Sequence, residues 1–119
     1  MNKVNKPINK IIKQIKRFRD ERDWMQFHDP KNMAISIAIE AAELLEHFQW
    51  KNKEEVEEHI KRNNQEIGEE IADIAMYLFE LADNQGIDLL KTMELKLKKN
   101  AKKYPVKKAK GKHTKYNKL

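Results

Sequence analysis

Four carboxylates, set in pairs of matching spacing, are the residues of this chain best placed to do chemistry. Glu40 and Glu43 fall in the run from Met33 to Trp50, and Glu70 and Asp73 in a second run from Glu66 to Leu81. Wound as a helix at about 100° per residue, the first run gathers Met33, Ile37, Ala41, Leu44, Leu45 and Phe48 on a broad apolar face, with Ile35, Ile39 and Ala42 around the back. Such a helix is expected to be buried. Ser36, Glu40, Glu43 and His47 then form a narrow polar stripe between apolar borders. The second run repeats the arrangement: Ile67, Ile71, Ile74, Leu78 and Leu81 make the apolar face, while Glu66, Glu70, Asp73 and Tyr77 share a stripe. Unpaired charge in such surroundings costs several kcal/mol, which calls for a compensating cation.

Two facing stripes would bring the four carboxylates together. Hard oxygen ligands, with no cysteine in the chain and no histidine at metal-ligand spacing, favour magnesium, or manganese, over zinc. An isolated Glu-x-x-Glu is usually a solvated helix face, and Glu54, Glu55, Glu57 and Glu58 are read that way because they lack an apolar surround. The duplication of the motif, each copy set into apolar surface, is what lifts Glu40, Glu43, Glu70 and Asp73 above that reading.

The elements that must carry these residues are helices. Only three glycines and three prolines punctuate the chain, and β-type alternation is scarce, so the expected class is all-α. Helices are predicted over about 8–22, 31–49, 53–83 and 88–103. Asp29-Pro30 reads as a helix start and Asn84-Gln85-Gly86 as a helix stop, while Asn63-Asn64 is a candidate break in the third segment. The expected domain is 1–105. Residues 106–119, lysine-rich and without apolar period, are read as an extended tail.

A chain of 119 residues holds one domain, and with 37% charged against 39% hydrophobic residues its apolar supply is thin, which favours burial between subunits in a homo-oligomer. The lack of cysteine suits a reducing cytoplasm and removes thiol chemistry. Met1–Lys16 has scattered lysines and no apolar run of signal-peptide length, and no 18-residue apolar stretch occurs, so neither secretion nor membrane insertion is expected. The net charge of +6 and pI near 9.4 are unevenly spread, with lysine crowded between Lys96 and Lys118 and carboxylates between Glu40 and Asp73. That polarity fits a polyanion held between a metal and a basic rim; a nucleic-acid-binding module is the rival from another class. The rival leaves the carboxylates in apolar surroundings unexplained, so nucleic acid is not the expected partner.

Aromatic residues frame the acidic runs. Trp24-Met25-Gln26-Phe27-His28 precedes the first and Trp50 closes it, at positions where a flat base could be sandwiched, although core packing is the commoner role of tryptophan. His28 and His47 read as surface or satisfied residues. Lys96 and Asn100 stand one turn apart and can reach the same phosphate. Asp20, Glu21, Arg22 and Asp23 read as a charged helix end.

On Glu40, Glu43, Glu70 and Asp73, with Arg22 to His28, Pro30, Asn32, Phe48-Gln49-Trp50, Tyr77, Lys96, Asn100 and Tyr104-Pro105, the chain resembles the all-α MazG-like nucleotide pyrophosphohydrolases, most closely their dCTP pyrophosphatase branch. The likeness covers about residues 18–105. It implies a four-helix-bundle-like fold assembled as dimers, and in this branch as a tetramer with sites at subunit contacts. It also implies that the four carboxylates hold magnesium, that Trp24, Gln26, Phe27, His28, Trp50 and Tyr77 form the nucleoside pocket, and that Lys96 and Asn100 meet the phosphates. The implied substrate is a deoxynucleoside triphosphate, dCTP or a modified dCTP, with dUTP or a broader set of nucleotides as the alternative. Met25 stands where the branch commonly has glutamate, and Ile15 where some relatives place a substrate-contacting histidine; both bear on base preference. The expected reaction is attack of water on the α-phosphorus, with Glu43 or Glu46 as the proton acceptor.

Overall fold

The computed structural model describes residues 6–119, and among them every regular element is helical, as the residue pattern requires. α1 spans Lys6–Glu21, α2 Pro30–Glu46, α3 Lys53–Arg62, α4 Asn64–Asn84, α5 Leu89–Lys103 and α6 Val106–Ala109. Contacts divide the chain into a first unit ending at Gln85 and a second running Gly86–Leu119. No helix among the described residues is long and apolar enough to cross a membrane.

Local chemistry sets most boundaries. The Asp29 side chain caps α2 by accepting from the Asn32 amide at 2.9 Å, and Pro30 fills the first turn, where no donor is needed. Asn52 and Glu55 form a reciprocal capping box at the start of α3. The predicted third helix breaks at Asn63, whose side chain bonds back to the His59 carbonyl, so it becomes α3 and α4. Gly86, at φ +69°, takes the left-handed conformation that lets the chain leave α4 cheaply. Asp88 caps α5 through the Lys91 amide.

In the first unit α4 is the central element, against which α2 packs most extensively and α1 and α3 also pack. Among the described residues the core is small: Met33, Ile67 and Ala82 are the buried apolar residues, joined by the charged Arg19 and Glu80. The expectation that α2 is buried all round is corrected by Ile35, Ile39 and Leu45, which are 47%, 53% and 61% exposed. α4 covers one face of α2, and among the described residues these three side chains stay about half exposed.

α2 ends at Glu46, earlier than the predicted 49, and the chain turns through Trp50 at φ +68°. The expectation of an extended tail is also corrected. Within the second unit Pro105 starts the short α6, a 3-10 turn forms at Tyr116–Lys118, and the Tyr116 ring packs edge-on against Tyr104 with Lys103 above it. Two aromatic rings and a cation supply contacts that a lysine count does not reveal.

Candidate active site

Three-residue spacing on a helix puts two side chains on nearly one face, so α2 presents Glu40 with Glu43, and α4 presents Glu70 with Asp73. The packing of α2 on α4 brings Glu40, Glu43 and Glu70 together, while Asp73, expected with them, stands at the wall of a neighbouring cavity. A carboxylate oxygen from each of Glu40, Glu43 and Glu70 lies within 4.8 Å of the other two. Oε2 of Glu40 and Oε2 of Glu70 are buried and accept no hydrogen bond. Burial first, then the neighbouring Glu43, pushes the Glu40 carboxyl up to about 7, with Asp73 contributing in the same direction. Glu70 is raised for the same reasons, burial leading and Glu43 next. Clustered carboxylates with unmet acceptor oxygens and elevated pKa form a hard, anionic donor set to which a divalent cation answers on both counts.

Beside this cluster lies a cavity of about 400 Å³, within the size range of small-molecule sites. Glu40 and Asp73 contribute to its wall together with Trp24, His28 and Tyr77. Burial, followed by Glu40 and Asp73, raises the Tyr77 hydroxyl above its ordinary range, so Tyr77 serves there as a neutral group. Trp24 is steadied edge-on by Phe18, and His28 lies edge-on to Tyr77.

The profile of the MazG-like family matches residues 35–119. This chain belongs to the MazG-like family. Two curated relatives are dCTP pyrophosphatase 1 of Bos taurus, 38% identical over 86% of this chain and 62% of its own length, and dCTP pyrophosphatase 1 of Homo sapiens, 36% identical over 86% and 61%. The chain thus spans about three fifths of the length of these relatives. The solved structure of a pyrophosphatase from Archaeoglobus fulgidus DSM 4304 superposes with a TM-score of 0.81 at 40% identity, covering 88% of this chain and 98% of that one.

Within this MazG-like chain the residues singled out from sequence fall in distinct places. Trp24, His28 and Tyr77 line the cavity at whose wall Glu40 and Asp73 stand. Gln26 does not line it; its amide donates to the Asp23 carbonyl and carboxylate and braces the turn at Asp23, which has φ +54°. Phe27 is 58% exposed and Trp50 is 92% exposed, and neither lines the cavity. Glu46 lies at the exposed end of α2, one turn beyond Glu43. Lys96 and Asn100 sit on α5 in the second unit.

Of the α1 wall of the cavity, built by Ile11, Gln14, Ile15, Phe18 and Arg19, sequence reasoning reached only Ile15, and it missed the α4 residues Met76 and Glu80. A signal for both walls was present. Ile11, Ile15 and Phe18 follow the i, i+4, i+7 pattern, and Glu80 extends the Asp73–Tyr77 stripe by one turn. His47, read as a surface or satisfied residue, is a satisfied one, because it meets His59 across the α2–α3 junction.

Proposed function

We propose that this protein hydrolyses a deoxynucleoside triphosphate of the dCTP type to the monophosphate and pyrophosphate. The observation that carries the reading is the convergence of Glu40, Glu43 and Glu70, with two buried acceptor oxygens unmet, beside a nucleoside-sized cavity walled by Trp24 and Tyr77. The activity for which the relatives are named supports dCTP as substrate.

Glu40, Glu43, Glu70 and Asp73 would hold magnesium, with manganese as a substitute, and the metal would supply charge neutralisation for the triphosphate and acidify water. Trp24, His28 and Tyr77 hold the nucleoside, with Gln26 bracing the turn that leads to Phe27 and His28, while Lys96 and Asn100, one turn apart on α5, are suited by charge and hydrogen bonding to phosphate. The oxygen of a water molecule bonds to the α-phosphorus as the bond from that phosphorus to the oxygen bridging to the β-phosphate breaks. Pyrophosphate leaves, and the water proton passes to a carboxylate, Glu43 or Glu46.

The uncovered apolar residues of α2 support a homo-oligomer, and a dimer of dimers is the assembly we propose. Trp50, fully projected and held at a left-handed backbone angle, is suited to complete the site of a neighbouring copy. We assign the protein to the cytoplasm, where its lack of cysteine is unremarkable and nucleotides are made.

Pyrophosphate release measured over a panel of deoxy- and ribonucleotides, with and without magnesium, tests the reading. Release strongest with dCTP and lost with chelator is expected. Release strongest with dUTP, or even across the panel, would move the substrate and keep the reaction. No release from any triphosphate would overturn both.

A further inference from the structure

The cavity has a second polar feature, remote from the carboxylate cluster and built differently. Glu80 is 3% exposed, and Arg19, 6% exposed, is its charge partner across α1 and α4. One oxygen of Glu80, Oε2, takes all of its partners: His28 Nδ1 at 2.7 Å, the Asn84 amide at 3.1 Å and Arg19 Nη1 at 3.7 Å. Arg19 is itself fixed by Nη1 donating to Asn84 Oδ1 at 3.0 Å and Nε donating to Asp20 at 2.8 Å. The other oxygen, Oε1, accepts no hydrogen bond among the described residues, and Glu80 lines the cavity. The carboxylate is therefore locked in orientation by groups that all approach from one side.

A carboxylate oxygen in nearly complete burial is an acceptor that needs a donor, and leaving it unmet on ligand binding carries the desolvation penalty of a charged group. Whatever enters the cavity beside Glu80 is selected for an N–H or O–H at that point. The spacing says which part of a nucleotide this is. Asp73, Tyr77 and Glu80 follow one another at i, i+4 and i+7 along a single face of α4, which puts Glu80 about 10 Å along the helix axis from Asp73. With the phosphates at the Asp73 end, a span of that order reaches across the sugar to the outer edge of the base. Cytosine presents its 4-amino group there, a donor; uracil and thymine present a carbonyl oxygen, which in the same pose would face a carboxylate with a second acceptor.

We propose that Glu80, oriented through Oε2 by His28, Asn84 and Arg19, reads the base of the substrate by accepting from the 4-amino group of an aminopyrimidine, and so sets the preference for cytosine over uracil and thymine nucleotides. The proposal rests on the nucleotide-hydrolysing reading above. Glu80 takes no part in the chemistry at phosphorus, and its role is read in relative KM rather than in the reaction type.

The test compares dCTP with dUTP, with the 4-N,N-dimethyl derivative of dCTP and with the 2-pyrimidinone deoxynucleoside triphosphate, which lacks the amino group, in the full chain and in Glu80→Gln. Wild-type protein is expected to favour dCTP over each analogue by tenfold or more in kcat/KM, chiefly through KM. A site built around a hydrogen bond rejects partners that lack it more strongly than an apolar pocket does. In Glu80→Gln that preference is expected to shrink at least tenfold. An ion pair that merely ties α1 to α4 would instead lower activity on all substrates together, leaving their ratio unchanged, and that result would overturn the proposal. Should Glu80→Gln fold poorly, Arg19→Met/Glu80→Gln removes the buried charge pair as a whole and serves in its place. Equal handling by wild-type protein of dCTP and the analogue without the amino group would also overturn the proposal, while leaving the pyrophosphohydrolase reading intact. Failure to release pyrophosphate from any nucleotide would strike that reading instead.

Discussion

His47 Nδ1 lies 2.8 Å from His59 Nε2, so the end of α2 is joined to α3 by a hydrogen bond between two imidazole rings. Such a bond needs one nitrogen to donate and the other to accept, and protonation of the accepting ring destroys it. Asn63 attends the far nitrogen of His59 at 3.1 Å, and Phe48 packs against both rings.

Burial, then the positive charge of Lys51, holds His59 below its ordinary value of 6.5. The folded state accordingly binds fewer protons than the unfolded chain just below pH 6.5, so the contribution of His59 is present above that pH and is lost as the pH falls through it. The Tm advantage of wild-type protein over His59→Gln is expected to be largest near pH 8 and to narrow toward pH 5. A constant gap across that range would contradict the pairing.

Replacing any one of Glu40, Glu43, Glu70 or Asp73 with alanine is expected to abolish turnover. Without metal, each variant is expected to be at least as stable as wild type, because repulsion within the cluster is relieved. Pyrophosphate release and thermal melts in chelator check the two halves. Two of the four variants keeping rates within tenfold, a barrier cost of only about 1.4 kcal/mol, would break the assignment.

The elevated Glu40 carboxyl, at about 7, predicts that magnesium binding expels a proton near neutrality, so affinity should climb as the pH rises to about 7 and level off above it. In the metal-free protein the sign for stability is opposite. The folded state holds a proton that the unfolded chain has already released, so the Glu40 contribution becomes less favourable between its ordinary 4.5 and about 7. Calorimetric titration with magnesium in buffers of differing ionisation enthalpy reads the released proton directly. A heat independent of buffer at pH 6.5 would refute this account.

Trp50 combines 92% exposure with a φ of +68°, a backbone angle that disfavours large side chains. Trp50→Gly relieves that angle, so its melting temperature is expected to match or exceed wild type while KM for dCTP rises at least tenfold. If the ring serves a neighbouring copy's site, mixing Trp50→Gly with Glu70→Ala after verified subunit exchange restores part of the lost activity. Activity of the mixture no greater than the sum of the two variants measured separately would mean that each site is complete within one chain.

Periodicity alone determined that this protein is all-helical and that Glu40 with Glu43, and Glu70 with Asp73, share helix faces, because three-residue spacing on a helix is a local property of the chain. Asp29-Pro30 and Gly86 likewise mark helix ends through short-range capping and backbone preference. The packing of α2 on α4 is a different matter. It decides that Glu40, Glu43 and Glu70 converge and that two of their oxygens are left unmet, through side chains from separate helices. The same holds for the cavity floor, where Arg19 meets Asn84 across 65 positions and His28 meets Glu80 across 52. A charged residue on a single helix looks solvated until the opposing helix is in place. Only the tertiary structure makes Arg19 a buried partner, and Glu80 an oriented acceptor at the wall of the cavity.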